Sequence, residues 1–303
     1  MKKAILIVNM GAPESESEMR QFLFKMFMDK YILPLPWLLR RFIAGKIRSK
    51  RSKSSWEKYK LIGGSPLKQF SRDCCDEVAK AFPNCEVVEA YSYSTPSIKH
   101  RIKELGRKGV TDLTVFPLYP NYSSATTESI KFDCESVVKR FSNMKMFFIE
   151  EFSAEIEFLS FWKNLIEKQV NFELNEDSVL VGSFHSLPNK IAEKCGYFES
   201  CNLIVESVAK LLGIDYRIAF QSQVRDTGWL GPKVKDVMDS VADKNVILCA
   251  MSFVCENLET MYDFDQELLP ELNHQKSISR IRLPKASEGF ADVIIDILKR
   301  EIK

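Results

Sequence analysis

One pattern constrains this chain more than any other. Apolar runs without alternation recur along it, each followed by a turn and then an amphipathic stretch. KAILIVN runs from Lys3 to Asn9, DLTVFPL from Asp112 to Leu118, DSVLVGSF from Asp177 to Phe184, and NVILCAM from Asn245 to Met251. A strand with one wet face alternates apolar and polar residues. These do not, so each is expected to be buried on both faces, as in a parallel sheet covered by helices. SESEMRQFLFKMFMDKY carries a serine cap candidate and early acids, which mark a helix start. ATTESIKFDCESVVKRFS, EFLSFWKNLIEKQV, CNLIVESVAKLLG, LETMYDFDQELL and GFADVIIDILKREIK also read as helices. MKMFFIEEF, YRIAFQS and SRIRLP read as further strands. This alternation predicts right-handed βαβ units and an α/β fold.

At 303 residues the chain is long for one α/β unit, so two doubly wound domains are expected, residues 1–150 and 151–303. The apolar content of 45% suffices for large cores. A net charge of +2, from 43 basic and 41 acidic residues, lacks the concentrated basic surface of a nucleic-acid binder. The eight cysteines form no CxxC, which fits a reduced, cytoplasmic protein. MKKAILIVNMGAP has too short an apolar run for an export signal, and no run predicts a spanning helix. Neither GxGxxG nor GxxxxGK[ST] occurs, which argues against a nucleotide cradle.

The segment from Lys30 to Ser55 breaks the strand–helix rhythm. Its first part is apolar and proline-punctuated, with Tyr31, Leu35, Trp37, Leu38 and Leu39; its second carries Arg40, Arg41, Lys46, Arg48, Lys50, Arg51 and Lys53. It reads either as a solvated basic loop or as an amphipathic lip resting on an anionic membrane or covering a greasy ligand.

Ligands of open α/β sheets bind beyond the carboxyl ends of the strands. The predicted strands end in Asn9-Met10-Gly11, Tyr119-Pro120-Asn121, His185-Ser186 and Gln221-Ser222, with Trp229 a short loop later; the strand ending at Phe253 leads to Glu256, Asn257 and Glu259. Aromatics and methionine among a few polar groups point to a large, flat, mostly apolar ligand. On residues alone, His185 is either a hydrogen-bonded structural histidine or a catalytic or ligating one. Glu259, Asp263 and Glu267 lie four apart on one helical face. That row is either a solvated acidic face or a path for a hard dication. One histidine and one glutamate are too few for a closed structural metal site, but they suit a metal that must be released again.

NMGAPES, YKLIGGSPL (Tyr59–Leu67), FPLYPNYSSATT (Phe116–Thr127), FHSLP (Phe184–Pro188), FQSQVRDTGWLGP (Phe220–Pro232) and FVCENLETMYDFD (Phe253–Asp265) occur in the order found in ferrochelatases. The chain resembles that family over nearly its whole length. The resemblance implies two Rossmann-like domains with an active-site cleft between them, and insertion of ferrous iron into a porphyrin. It implies His185 and Glu259 as the catalytic and iron-binding pair, with Asp263 and Glu267 as the iron-entry ladder. It implies Met10, Tyr59, Tyr93, Tyr119, Gln221, Ser222 and Trp229 as porphyrin contacts, and no organic cofactor. Met10 and Glu14, with no tyrosine there, favour protoporphyrin over coproporphyrin; a cobalt or nickel tetrapyrrole chelatase and a non-catalytic haem carrier are the rival readings. An iron–sulfur cluster is not expected without a cysteine-rich tail. The chain departs from the family at Asn257, where a histidine is usual, leaving Glu256 as the nearby titratable group. It departs again at Ser92, often an arginine, and at Lys194-Cys195-Gly196-Tyr197, often GDPY.

Overall fold

The computed structural model describes residues 2–272 and 276–302, so His274 lies outside the described residues. The chain forms two compact units. The first comprises the chain up to Leu118 with Ser124–Glu150 and Lys285–Ser287; the second comprises Tyr119–Ser123, Glu151–Pro284 and the chain from Glu288 on.

The first unit is built on a parallel sheet of β1 (Lys3–Asn9), β2 (Cys85–Tyr91), β3 (Asp112–Pro117) and β4 (Lys145–Phe148), in the order β2-β1-β3-β4. β1 is central and buried from Ala4 to Asn9, which is why KAILIVN has no polar alternation. Helices α1 (Glu16–Met28), α2 (Trp37–Leu61), α3 (Leu67–Ala81), α4 (Ile98–Arg107) and α5 (Ser129–Val138) surround it in sequence. The Ser15 side chain accepts the Glu18 N–H at the start of α1, as the serine cap predicts. Gly11 turns the chain off β1 with φ at +85°, and a Cβ there would lie 2.5 Å from Ser94 Cβ. Only glycine fits that approach.

Within the segment Lys30–Ser55, the proline-punctuated start up to Pro36 is a run of turns, and from Trp37 on the basic part is helix rather than loop. Pro36 precedes the first turn of α2, where a missing N–H costs nothing, and no proline follows inside. Only Ala44, Ser52 and Tyr59 of α2 are buried, so its core stripe is narrow. Trp37, Leu38 and Phe42 are 55%, 75% and 59% exposed.

The second unit repeats the sheet plan. β5 (Ser178–His185), β6 (Asp215–Gln221), β7 (Asn245–Ala250) and β8 (Ser277–Arg280) run parallel in the order β6-β5-β7-β8. Helices α6 (Ile156–Gln169), α7 (Asn189–Cys195), α8 (Tyr197–Leu212), α9 (Val234–Ser240) and α10 (Phe290–Glu301) accompany it. Gly182 lies in the middle of β5; a Cβ there would meet Val205 Cγ2 of α8 at 2.7 Å. Its absence lets α8 pack close against the central strand. Phe152, Phe158, Phe161, Trp162 and Phe290 form a continuous aromatic cluster that joins α6 to α10. Among the described residues, no helix is long and apolar enough to cross a membrane.

In each sheet the chain leaves its first strand to one side and then crosses back to the other. That reversal places the switch point between β1 and β3, and between β5 and β7, the crevice where open α/β sheets take ligands. His185 is the last residue of β5, and the chain leaving β7 leads to Glu259.

Candidate active site

His185 and Glu259 come together at the second switch point, with His185 Nε2 3.7 Å from Glu259 Oε1. Both are partly shielded, the side chains 39% and 27% exposed. A carrier with a remote, exposed Glu259 would not have this geometry.

The strand end grips His185 on three sides. Its N–H donates to Ser252 Oγ at 3.1 Å, its carbonyl accepts from Tyr197 Oη at 3.1 Å, and Nδ1 lies 2.7 Å from the Ser186 carbonyl. A carbonyl only accepts, so Nδ1 carries a proton there, and Nε2 is the ring nitrogen that faces Glu259. Tyr197 is buried, and burial first, then the neighbouring Cys201, pushes its phenol above the ordinary range, so it remains a donor.

Glu259 is held as firmly. Ser222 Oγ donates to Oε2 at 2.6 Å, and Gln221 Nε2 approaches the same oxygen at 3.4 Å. Ser183 Oγ donates to Gln221 Oε1 at 2.8 Å, which orients the amide so that its nitrogen faces Glu259. Oε1 is thereby turned toward His185 Nε2. A ring nitrogen and a carboxylate oxygen facing each other at this distance can share a proton or hold a cation between them.

Glu259 opens a π-helix, Glu259–Leu268, where sequence spacing predicts an α-helix. The i→i+5 turn still keeps residues four apart near one face, so Glu259, Asp263 and Glu267 form a row. Along it exposure rises from half-buried Glu259 and Asp263 to exposed Glu267. Asn257, in place of the usual histidine, is a cap: its Oδ1 accepts the Glu259 N–H at 2.8 Å and its Nδ2 donates to the Cys255 carbonyl at 3.1 Å. An amide in this position fixes the backbone and carries no titratable proton.

Glu256, the nearby titratable group, is bonded away from Glu259. Its carboxylate is forked by Arg280 and accepts from Thr260 Oγ1 and the Leu283 N–H. Burial alone would raise its pKa; the Arg280 guanidinium and the other donors outweigh burial and hold it below the ordinary glutamate range. Among the described residues, no group of three or more His, Cys, Asp or Glu side chains is arranged to hold a metal ion.

The other candidate residues divide between the units. In the second, the Trp229 backbone bridges Pro188, and Leu230 N–H donates to the Leu187 carbonyl at 2.9 Å, laying that loop beside the residues after His185. Tyr119 is half-buried in the short segment Tyr119–Ser123. In the first, the Tyr93 N–H donates to the Met10 carbonyl at 3.1 Å, joining these two at the end of β1. Tyr93 Oη donates to Asp29 Oδ2 at 2.8 Å. Tyr59 is buried near the end of α2, stacked on Trp56 with ring centroids 6.5 Å apart. Sequence reasoning missed Ser183, Tyr197, Ser252 and Arg280. Ser183 had the one legible signal, a polar residue two before His185 within an apolar strand.

Two four-stranded parallel sheets of one order, with a histidine and a glutamate meeting at a strand-end crevice, define an open α/β protein with a ligand-type site at the end of its second sheet. The fold is similar to SirB from Bacillus subtilis, solved with Fe3+ (TM-score 0.59, 11% identity, 99% of this chain and 95% of that one). It is also similar to CbiX, the terminal enzyme of sirohaem biosynthesis in denitrifying bacteria (TM-score 0.54, 12% identity, 99% and 100% covered). The ferrochelatase family model matches residues 2–302, and the chain belongs to the ferrochelatase family. It is 32% identical to the ferrochelatase of Nitratiruptor sp., covering 98% of this chain and 99% of that one. It is 30% identical to that of Aquifex aeolicus, with both chains covered in full. Against the mitochondrial ferrochelatase of Xenopus laevis the identity is 27%, over 100% of this chain and 79% of the relative.

Proposed function

We propose that this chain inserts ferrous iron into protoporphyrin IX, releasing two protons and giving protohaem. The observation that carries the reading is the opposed pair of His185 Nε2 and Glu259 Oε1 at 3.7 Å, each locked from behind. A free-base porphyrin holds two inner N–H protons, and both must leave as one dication enters. A fixed imidazole lone pair beside a carboxylate supplies an acceptor for the first proton and a counter-charge for the imidazolium that results. The same two atoms can hold the incoming iron briefly, and two protein donors leave its remaining positions for pyrrole nitrogens.

In this reading Asp263 and Glu267 pass iron inward to Glu259. The resemblance assigns Met10, Tyr59, Tyr93, Tyr119 and Trp229 to the macrocycle, whose peripheral binding energy bends it toward the metal. Gln221 and Ser222, assigned from resemblance to the porphyrin, serve it through Glu259, which both contact. The reaction takes no organic cofactor and no iron–sulfur cluster. The exposed apolar start of α2 and its basic continuation support a peripheral seat on an anionic membrane at the cytoplasmic face.

The test is anaerobic incubation of purified protein with ferrous iron and protoporphyrin or coproporphyrin, followed through the visible spectrum. Protohaem formation is expected to exceed haem formation from coproporphyrin. Faster turnover of coproporphyrin would reassign the substrate, and no metal insertion with either would overturn the reading.

A further inference from the structure

The helix that presents Glu259 has an unusual geometry, and one buried side chain spans it. Arg280, the last residue of the edge strand β8, is only 6% exposed. Its Nη1 and Nη2 fork the two oxygens of Glu256, at 2.5 and 2.8 Å. Nη2 also donates to the Thr260 carbonyl at 3.0 Å, and Nε stands 3.2 Å from Asp265 Oδ1. The guanidinium thus touches a residue before the π-helix, one in its first turn, and one a full i→i+5 step further on. Thr260 Oγ1 adds a second tie to Glu256.

π turns are rare and short because α-helical bonding is the better alternative for a free segment. A run from Glu259 to Leu268 therefore needs something that rewards the wider turn. Arg280 does so: its planar fork hydrogen-bonds Glu256 and the Thr260 carbonyl while its charge stands against the Asp265 carboxylate. Tightening the segment to an α-helix would rotate Asp265 away from Thr260 and leave a buried carboxylate and guanidinium mispaired, a costly arrangement. Glu259 lies within this clamped stretch, immediately before Thr260.

We propose that Arg280 is a positioning residue for metal insertion: it templates the π-helix and so sets where Glu259, Asp263 and Glu267 stand. The proposal deepens the functional reading above and rests on it for the role of Glu259. Arg280 pairs with Glu256, Asp265 and the Thr260 carbonyl rather than with His185 or Glu259, so it acts through the backbone of the helix.

The test compares wild type with Arg280→Lys, which keeps the buried charge but loses the fork, and with the milder Asp265→Asn. Two readouts are taken on each protein, amide hydrogen exchange and steady-state insertion with iron and porphyrin varied separately. For Arg280→Lys, faster exchange is expected within Glu259–Leu268, with β5 and β7 unchanged. The iron KM should rise about tenfold, as for loss of a group supporting a metal ligand, while the porphyrin KM stays within about twofold. Asp265→Asn should move the same quantities in the same direction, less far. Unchanged exchange in Glu259–Leu268, exchange accelerated equally in both sheets, or equal changes in the two KM values would each overturn the proposal. If wild type inserts no metal, the functional reading falls instead, and the exchange pattern alone decides whether Arg280 sets the helix.

Discussion

Ser222 donates its hydroxyl to Glu259 Oε2 at 2.6 Å from a left-handed backbone, φ 62°. A non-glycine residue there costs roughly 1–2 kcal/mol. The strain sits just past the end of β6, in the residue whose hydroxyl meets Glu259. Ser222→Ala and Ser222→Gly both lose the hydroxyl, but only glycine relieves the backbone. Both should lower kcat/KM for metal insertion about tenfold. Ser222→Gly should melt higher than Ser222→Ala by the equivalent of about 1 kcal/mol in thermal denaturation. Equal melting temperatures would show that the left-handed turn costs nothing here.

His185→Ala should fold, bind porphyrin and lose insertion by at least about 10²-fold, the lower range of a general base. Its fold should survive because the residue closes β5 and is partly exposed rather than filling the core. Glu259→Gln should be comparably damaging, since it keeps the shape and removes the charge facing Nε2. Activity of His185→Ala within about threefold of wild type would make the histidine structural.

The acidic row should matter for metal and not for macrocycle. Asp263→Asn with Glu267→Gln should raise the apparent KM for iron, up to about tenfold if local cation enrichment is lost. Porphyrin affinity, read by fluorescence quenching, should stay as it was. A fall in porphyrin affinity with iron KM unmoved would place these acids in the macrocycle's support.

Replacing Arg48, Lys50, Arg51 and Lys53 by Ser should weaken flotation with phosphatidylserine vesicles, each cation near the surface contributing roughly 1 kcal/mol. Trp37→Ser with Phe42→Ser should weaken it further, because both are more than half exposed. Binding unaffected by both sets would remove the membrane seat from the function of α2.

Glu256 predicts a pH signature. Its folded pKa is depressed, so its stabilising contribution is complete above its unfolded value of about 4.3 and is lost as pH falls through the folded one. Glu256→Gln should be less stable than wild type near neutrality and lose less on acidification. Thermal denaturation from about pH 7 to about pH 3 reads this as two converging curves. Parallel curves would mean that Glu256 is not held ionised by Arg280.

Legibility from sequence followed the range of the forces involved. The inner strands were legible because burial on both faces leaves only apolar residues, as in KAILIVN and DSVLVGSF. The placing of His185 was legible because a strand-end position follows from the run before it; its pairing with Glu259 came through resemblance. α2 was not legible as a helix, because Pro34 and Pro36 punctuate its approach and its buried stripe is too thin to show periodicity. The π-helix was invisible in principle, since residues four apart share a face in either turn. Arg280 was invisible because its partners are tertiary: nothing local in SRIRLP says that its arginine is buried against Glu256 and Asp265.

The thin stripe of α2 divides the first unit into parts that hold with unequal strength. Ala44, Ser52 and Tyr59 anchor its middle and end, while its first two turns place their large side chains in water. Local opening costs least where few apolar contacts must break, and most in a strand buried on both faces. The beginning of α2 can therefore unwind and re-form many times while β1 stays closed. Motion at that end is set by helix fraying, on the timescale of a helix–coil transition, and needs no hinge.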